Sequence, residues 1–273
     1  MKEELFSKME SAAHSMRREM IEMTHNLGNT GAHIGGGLSL AEVMSVLYLG
    51  VLRYHRDDME AENRDRLIFS KGHGTLALYT AMVEAGIIDR EDLASYKKDD
   101  SMLSAHPAMN ASLGIEFSSG SLGHGLSQGV GVCLGLKRKG NQESKVYVIV
   151  GDGECDEGSI WEAAASAAHY QLNNLVVVVD RNQLQYDGQT DQILSLAPFE
   201  EKWKSFGWNA VSVDGHNVED LYTAFHRDSD KPYVVIANTV KGKGISFMEG
   251  NPLWHNGALN AKQYEQAMQE IKS

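Results

Sequence analysis

Cysteine is nearly absent from this 273-residue chain. Cys133 and Cys155 are the whole supply, too few for a disulfide framework or a four-ligand structural zinc site. Proline is also scarce at four residues, and no Pro-rich linker, tandem repeat or low-complexity tract divides the chain. No segment approaches the roughly 18 consecutive apolar residues of a membrane-spanning helix. The N-terminal stretch MKEELFSKMESAAHSMRREM carries acids and lacks the apolar centre of a secretory signal, so a reducing cytoplasm is the expected compartment. Basic charge is short as well. Lys and Arg number 25 against 37 Asp and Glu, for a net charge of −12. With no basic arm or stripe, nucleic-acid binding through phosphate neutralisation is not expected, and the scattered acids read as solubility. The eleven histidines include no pair at HExxH or His-x-His spacing, which excludes the familiar paired-histidine metal sites.

Apolar residues make up 42% of the chain and glycine adds 27 residues, enough for a substantial core. Five short runs read as buried strands: residues 66–69, 145–150, 175–180, 209–213 and 233–238. Most are continuous and β-branched rather than alternating, as suits strands covered on both faces. Helical periodicity occupies residues 3–26, 40–54, 73–85, 125–138, 157–170, 218–226 and 261–271. Strands alternating with helices predict an α/β fold, a doubly wound parallel sheet with helices on both faces, forming a single domain over 1–273. In such sheets ligands sit at the carboxyl ends of the strands. The glycines cluster in loops that belong on that rim, at Gly31 and Gly35–Gly37, at Gly72 and Gly74, and across 120–131, 151–158 and 242–244.

The segment KVYVIV-GDGECDEG-SIWEAA carries the most chemistry. A strand ends in Gly151-Asp152-Gly153 and a helix starts near Glu157. Helix N-termini attract anions, and glycines let a phosphate approach the backbone. The spacing matches neither GxGxxG nor a P-loop, which would need a Lys-Ser/Thr pair. Asp152, Glu154, Asp156 and Glu157 would repel a bare diphosphate, and a bridging divalent cation resolves that conflict. Magnesium takes one or two carboxylates and completes its octahedron with phosphate oxygens and water. A second ligand set is then expected at the end of the neighbouring strand, 30 positions on, at Asn182 and the carbonyl of Leu184. That separation is one helix plus one strand, as a βαβ unit requires. Taken singly, Asp152 as a helix cap and Asn182 as a turn residue would need no metal.

GDG followed by Asn at this distance resembles the metal–diphosphate motif of thiamine diphosphate enzymes. Further segments narrow the resemblance. GAHIGGGLS (31–39), SKGHGTLALY (70–79), HPA (106–108), GSLGHG (120–125) and WHNG (254–257) occur in the order and approximate spacing of transketolases. The resemblance spans essentially the whole chain. It implies thiamine diphosphate as cofactor with magnesium as the resident metal, calcium or manganese being able to substitute. Asp152, Asn182 and the Leu184 carbonyl are implied as metal ligands. Gly153, Asn182, His73 and His255 are implied as diphosphate contacts, and Gly120, Ser121 and Leu122 as the loop along the aminopyrimidine. His33, His106 and His255 match the histidines that contact ketose hydroxyls, and Glu157 matches the interface acid that bonds a partner glutamate. This chain carries Ser121 where many members have Pro, and His124 where Gln is common.

Neutral histidines suit this role on chemical grounds, since they donate and accept hydrogen bonds without fixed charge and shuttle protons near neutrality. His14, His25, His55, His169, His216 and His226 stand in no such motif and read as structural or solvated. Lys241 and Lys243, in the basic glycine loop after the last strand, read equally as phosphate contacts or solvated residues. The resemblance also implies a pyrimidine-binding domain with a catalytic glutamate, for which this sequence offers no second set of strands. The expectation is therefore a split enzyme: the N-terminal subunit of a transketolase, paired as α2β2 with a C-terminal subunit and acting on sugar phosphates. It would move a two-carbon ketol unit from a ketose to an aldose. The alternative is a subunit of a 2-oxo acid decarboxylating dehydrogenase or of a deoxyxylulose phosphate synthase type enzyme. A non-catalytic cofactor-binding remnant is a third reading, against which the complete ligand set argues.

Overall fold

The fold is described from a computed structural model covering residues 2–53 and 56–272. Tyr54 and His55, which fall at the end of one expected helix and among the unassigned histidines, lie outside the described residues. Five strands, β1 (Arg66–Phe69), β2 (Val146–Gly151), β3 (Leu175–Arg181), β4 (Asn209–Asp214) and β5 (Tyr233–Asn238), form one sheet in the order β1-β2-β3-β5-β4. Every pairing is parallel. Among the described residues ten α-helices accompany them: α1 (Lys2–Asn26), α2 (Ile34–Leu38), α3 (Ala41–Val46), α4 (Thr75–Glu84), α5 (Gly125–Arg138), α6 (Gly158–His169), α7 (Thr190–Ile193), α8 (Phe199–Ser205), α9 (Val218–Phe225) and α10 (Ala261–Glu270).

The strand side chains divide by parity between two cores, as a pleat of period two requires. Leu67, Phe69, Tyr147, Ile149, Val176, Val178 and Val235 pack with α1, α3, α4 and α9 on one face. Ile68, Val146, Val148, Val150, Val177, Val179, Val234 and Ile236 pack with α5, α6 and α8 on the other. The continuous apolar runs of β2, β3 and β5 are thus explained by burial on both sides, while the edge strand β4 keeps half-exposed positions. α1 presents Met9, Ala13, Met16 and Met20 at helical spacing to its core, an unbranched filler that accommodates irregular gaps.

Two expectations change in detail. The helix anticipated over 40–54 is the six-residue α3 followed by a wider π turn at Leu47–Val51. α8 is an unanticipated helix, seven residues long, that buries Phe199 and Trp203. Among the described residues, no helix is long and apolar enough to cross a membrane.

The loops that leave the carboxyl ends of β1, β2, β3 and β5 converge on one rim. The glycines there mark close backbone approaches. A Cβ at Gly72 would stand 2.8 Å from Ser119 Oγ and 2.9 Å from the Gly120 nitrogen, so the loop after β1 lies directly on the Gly120 loop. At Gly31, where φ is +61°, a Cβ would meet the Gly257 carbonyl oxygen at 2.4 Å. That contact accompanies an antiparallel bridge between Ala32 and Gly257, closed by two hydrogen bonds of 3.0 Å. The bridge brings the His33 and His255 segments together across more than two hundred residues of sequence.

Candidate functional site

A cleft of about 280 Å³ opens at the carboxyl ends of β1, β2 and β3. Along one wall lie His33, His73, His106 and His255. Ring centroids are separated by 5.5 Å for His33–His73, 5.9 Å for His33–His106, 5.4 Å for His33–His255 and 5.1 Å for His73–His255. Four imidazoles therefore share one wall. Burial, His106 and nearby lysines lower the His33 pKa to about 4. Burial and Lys241 lower that of His255 to about 3. Burial, with Lys71 close by, also drives His73 well below its usual range. All three are neutral at physiological pH, available as donor and acceptor at once.

Lys241 fixes the tautomer of one of them. Its Nζ lies 2.9 Å from His255 Nδ1 and 2.9 Å from the Leu184 carbonyl oxygen. An ammonium only donates, so His255 Nδ1 accepts and its proton sits on Nε2. Lys241 is 2% exposed, which corrects the solvated-loop reading of this residue; Lys243 remains partly exposed and pairs with Glu249. Burial and the charge of Lys71 lower the Lys241 pKa to about 8, leaving it predominantly charged at neutrality.

The opposite wall carries the oxygen donors. Asp152, immediately after β2, is 6% exposed and its carboxyl pKa is raised to about 6 by burial and by the charge of Asp180. Asp152 Oδ1 accepts from the Gly153 nitrogen at 2.9 Å, and Oδ2 accepts from the Gln183 nitrogen at 2.6 Å. Gln183 adopts a left-handed φ of +62°, turning the chain between Asn182 and Leu184 against this carboxylate. Asp152, Asn182 and Leu184 thus meet in one corner of the cleft, as their spacing predicts. Of the other three acids of the GDGECDEG segment, Glu154 also lines the cleft, whereas Asp156 and Glu157 do not. Glu154 is buried but accepts from Ser70 Oγ, the Gly123 nitrogen at 2.9 Å and the Gly151 nitrogen at 3.1 Å, a tie between three loops. Asp156 accepts from Gln185 Nε2 at 2.6 Å, and Glu157 is exposed outside the cleft. The expectation of four acids crowding one anion is therefore corrected to two cleft-lining carboxylates, Asp152 and the loop-tied Glu154.

Gly120, Leu122 and Gly153 line the cleft, whereas Ser121 is exposed between its neighbours. His124 lies outside the cleft lining and places Nδ1 3.0 Å from the Leu122 carbonyl oxygen. His216 bridges Glu42 at 2.9 Å and the Val240 nitrogen at 2.8 Å, a structural role. His25 stacks on Tyr264 at 4.1 Å, and His14, His169 and His226 are exposed. Sequence reasoning missed Lys71, a 3%-exposed cation on the cleft floor, which bonds the Gly36 carbonyl oxygen at 2.9 Å and pairs with Asp180. Its only sequence signal was its place in SKGHG, directly after a strand.

Several comparisons bear on this geometry. Residues 10–272 match the family described as transketolase, thiamine diphosphate binding domain. An apulose-4-phosphate transketolase subunit from Phocaeicola vulgatus is 39% identical over 266 residues, 96% of this chain and 93% of that protein. The 6-deoxy-6-sulfo-D-fructose transketolase subunit SqwG of a Clostridium species is 38% identical, over 97% of this chain and 96% of its own length. Human transketolase is 36% identical across 97% of this chain, which spans only 42% of that protein. The crystal structure of transketolase from Campylobacter jejuni superposes with a TM-score of 0.89 at 27% identity, covering 97% of this chain and 43% of that one. The chain belongs to the transketolase family, and the parallel sheet with its histidine-walled cleft is that family's thiamine diphosphate-binding domain.

Proposed function

We propose that this chain is the thiamine diphosphate- and magnesium-binding subunit of a two-polypeptide transketolase, active as an α2β2 assembly with a chain that supplies the pyrimidine-binding domain and a catalytic glutamate. The observation that carries this reading is the joint geometry of the cleft: four clustered imidazoles on one wall and a buried Asp152–Asn182–Leu184 oxygen corner on the other. The naming of nearly full-length relatives as transketolase subunits supports the division into two chains.

The oxygen corner fits a hard dication. Asp152 offers a carboxylate whose burial leaves it short of countercharge, and Asn182 and Leu184 offer neutral oxygens, the donor set magnesium prefers beside phosphate. Gly153, Asn182, His73 and His255 would face the diphosphate, with Lys71 and Lys241 adding positive charge. Gly120, Ser121 and Leu122 would run along the pyrimidine. When bound, thiamine diphosphate supplies the electron sink for carbon–carbon cleavage. The protein's own contribution is positional. His33, His106 and His255 hold the hydroxyls of a ketose phosphate; His255, with its proton on Nε2, donates into the cleft.

Tyr186, 71% exposed, lines the cleft and stands edge-on to His255 at 5.4 Å. An exposed aromatic ring at a binding cleft suits closure by a second chain. Glu157, exposed outside the cleft, would meet the partner's glutamate. The reading carries a cytoplasmic location, where free thiols such as Cys133 and Cys155 stay reduced.

The test is an assay of the chain co-purified with its partner, using xylulose 5-phosphate or pyruvate as donor and an aldose phosphate as acceptor. Ketol transfer from the ketose phosphate, with no decarboxylation of pyruvate, is expected. Pyruvate turnover in its place would overturn the assignment.

A further inference from the structure

The most heavily bonded polar side chain beneath the cleft is one that does not line it. Asp180, the penultimate residue of β3, is fully buried. Its Oδ2 accepts from Ser39 Oγ at 2.7 Å and from Asn182 Nδ2 at 3.0 Å, and Lys71 Nζ closes on the same oxygen. Its Oδ1 accepts from Thr239 Oγ1. These four donors come from the end of α2, the loop after β1, the loop after β3 and the loop after β5. One carboxylate therefore ties together the segments that form the cleft floor.

The bond to Asn182 has a directional consequence. A carboxylate accepts and never donates, so the amide must turn its NH₂ toward Asp180 and its oxygen away. Asn182 Oδ1 accordingly points elsewhere and accepts from the Leu184 nitrogen at 3.1 Å. The two amide orientations are nearly equivalent in shape, and Asp180 on one side with the Leu184 N–H on the other selects the one that presents oxygen to a cation. Partners that orient a metal ligand in this way are worth about 10–100-fold in metal affinity.

We propose that Asp180 is a positioning residue that sets the orientation of the Asn182 amide, and through it the affinity of the oxygen corner for a divalent cation. The inference rests on the reading of Asp152, Asn182 and Leu184 as the metal-binding corner. Asp180 itself is fully buried and outside the cleft lining. It acts through Asn182, while Lys71 keeps its buried charge compensated.

The experiment titrates thiamine diphosphate into the full chain by calorimetry at stepped magnesium chloride concentrations, with manganese as a paramagnetic probe of the metal environment. In Asp180→Asn the magnesium concentration for half-maximal coenzyme binding should rise at least about tenfold, and high magnesium should restore coenzyme affinity. Removing one partner of a buried ion pair risks unfolding, so Lys71→Met/Asp180→Leu, which removes both charges, is measured in parallel. It should show the same rise in the magnesium half-point, with weaker coenzyme binding at saturating magnesium because the Lys71 charge is gone. Thr239→Val withdraws a donor from the other carboxylate oxygen and spares the Asn182 bond. It should lower the melting temperature while shifting the magnesium half-point less than about threefold, within ordinary context scatter.

Magnesium half-points unchanged in both Asp180 variants, with wild-type binding clearly magnesium-dependent, would overturn the positioning role and leave the proposed function standing. Loss of coenzyme affinity in Asp180→Asn that magnesium does not restore would also overturn it. Wild-type binding indifferent to magnesium would overturn the metal reading itself, and this inference with it.

Discussion

Lys241 and His255 form a hydrogen-bonded cation–imidazole pair at 2.9 Å on the wall of the cleft. The pairing holds His255 neutral, with its pKa lowered to about 3 by burial and by that charge, and it leaves Nε2–H free to donate. A substitution at His255 should therefore be felt in ligand binding, while a distant histidine should be silent. His255→Ala is expected to lower kcat/KM or coenzyme affinity at least about tenfold, the low end for a lost positioned donor. His226→Ala, which removes an exposed ring stacked on Tyr222 at 4.0 Å, should change either by less than about twofold. Steady-state kinetics of the reconstituted enzyme and coenzyme calorimetry check the pair, and equal effects would contradict the assignment.

Acid stability should carry the signature of Glu42. Burial alone would raise this carboxyl, but the hydrogen bond from His216 and the charge of Arg17 pull it down to about 2. A pKa depressed in the folded state contributes stability that is present above the unfolded value of 4.5 and is lost as pH falls toward 2. The window is therefore about pH 5 down to 2, and the contribution is about 3 kcal/mol at neutrality. Glu42→Gln should be less stable than wild type at neutral pH by about that much, with the gap closing as pH falls. Denaturant melts at stepped pH test this, and a gap that widens on acidification would contradict it.

Two glycines of α5 should respond in opposite directions. At Gly125 a Cβ would stand 2.3 Å from Ser70 Cβ, inside the contact that joins α5 to the loop after β1. Gly125→Ala should destabilise by about 1–3 kcal/mol through overpacking. Gly131, in mid-helix, has nothing within 4 Å of the same atom. Gly131→Ala should stabilise by about 0.5–1 kcal/mol, because glycine is the poorer helix former and loses more entropy on folding. Thermal melts of the two variants should move apart from wild type; a shift in the same direction for both would contradict the packing described.

The contrast between these two glycines also shows what the sequence could disclose. The strands were legible because β2, β3 and β5 are buried on both faces and so are written as unbroken β-branched runs. Asp152 and Asn182 were legible because a βαβ unit fixes the interval between the ends of adjacent parallel strands. The roles of His33, His73 and His255 came from the family resemblance rather than from spacing. What escaped was the support beneath them. The Asp180 network joins Ser39, Lys71, Asn182 and Thr239, residues up to 200 positions apart whose approach depends on the completed sheet. Lys241 looked like a loop residue because its flanking glycines are those of a solvated turn, yet Gly242 packs against Met248 and carries the loop inward. The four acids after β2 looked alike in sequence; only Asp152 and Glu154 line the cleft, Glu154 bonded to the Gly123 and Gly151 nitrogens and Asp152 facing the Asn182–Leu184 turn. The seven-residue α8 is too short to display a helical period.

The cation proposed for the Asp152 corner is the element on which every other proposed role depends. Calorimetric titration of thiamine diphosphate into wild type and Asp152→Ala, each with magnesium and with a chelator, addresses this directly. Wild-type binding should depend on magnesium, and Asp152→Ala should lose that binding while keeping the wild-type circular dichroism spectrum. Magnesium-independent binding in wild type, or unaltered affinity in Asp152→Ala, would contradict the account.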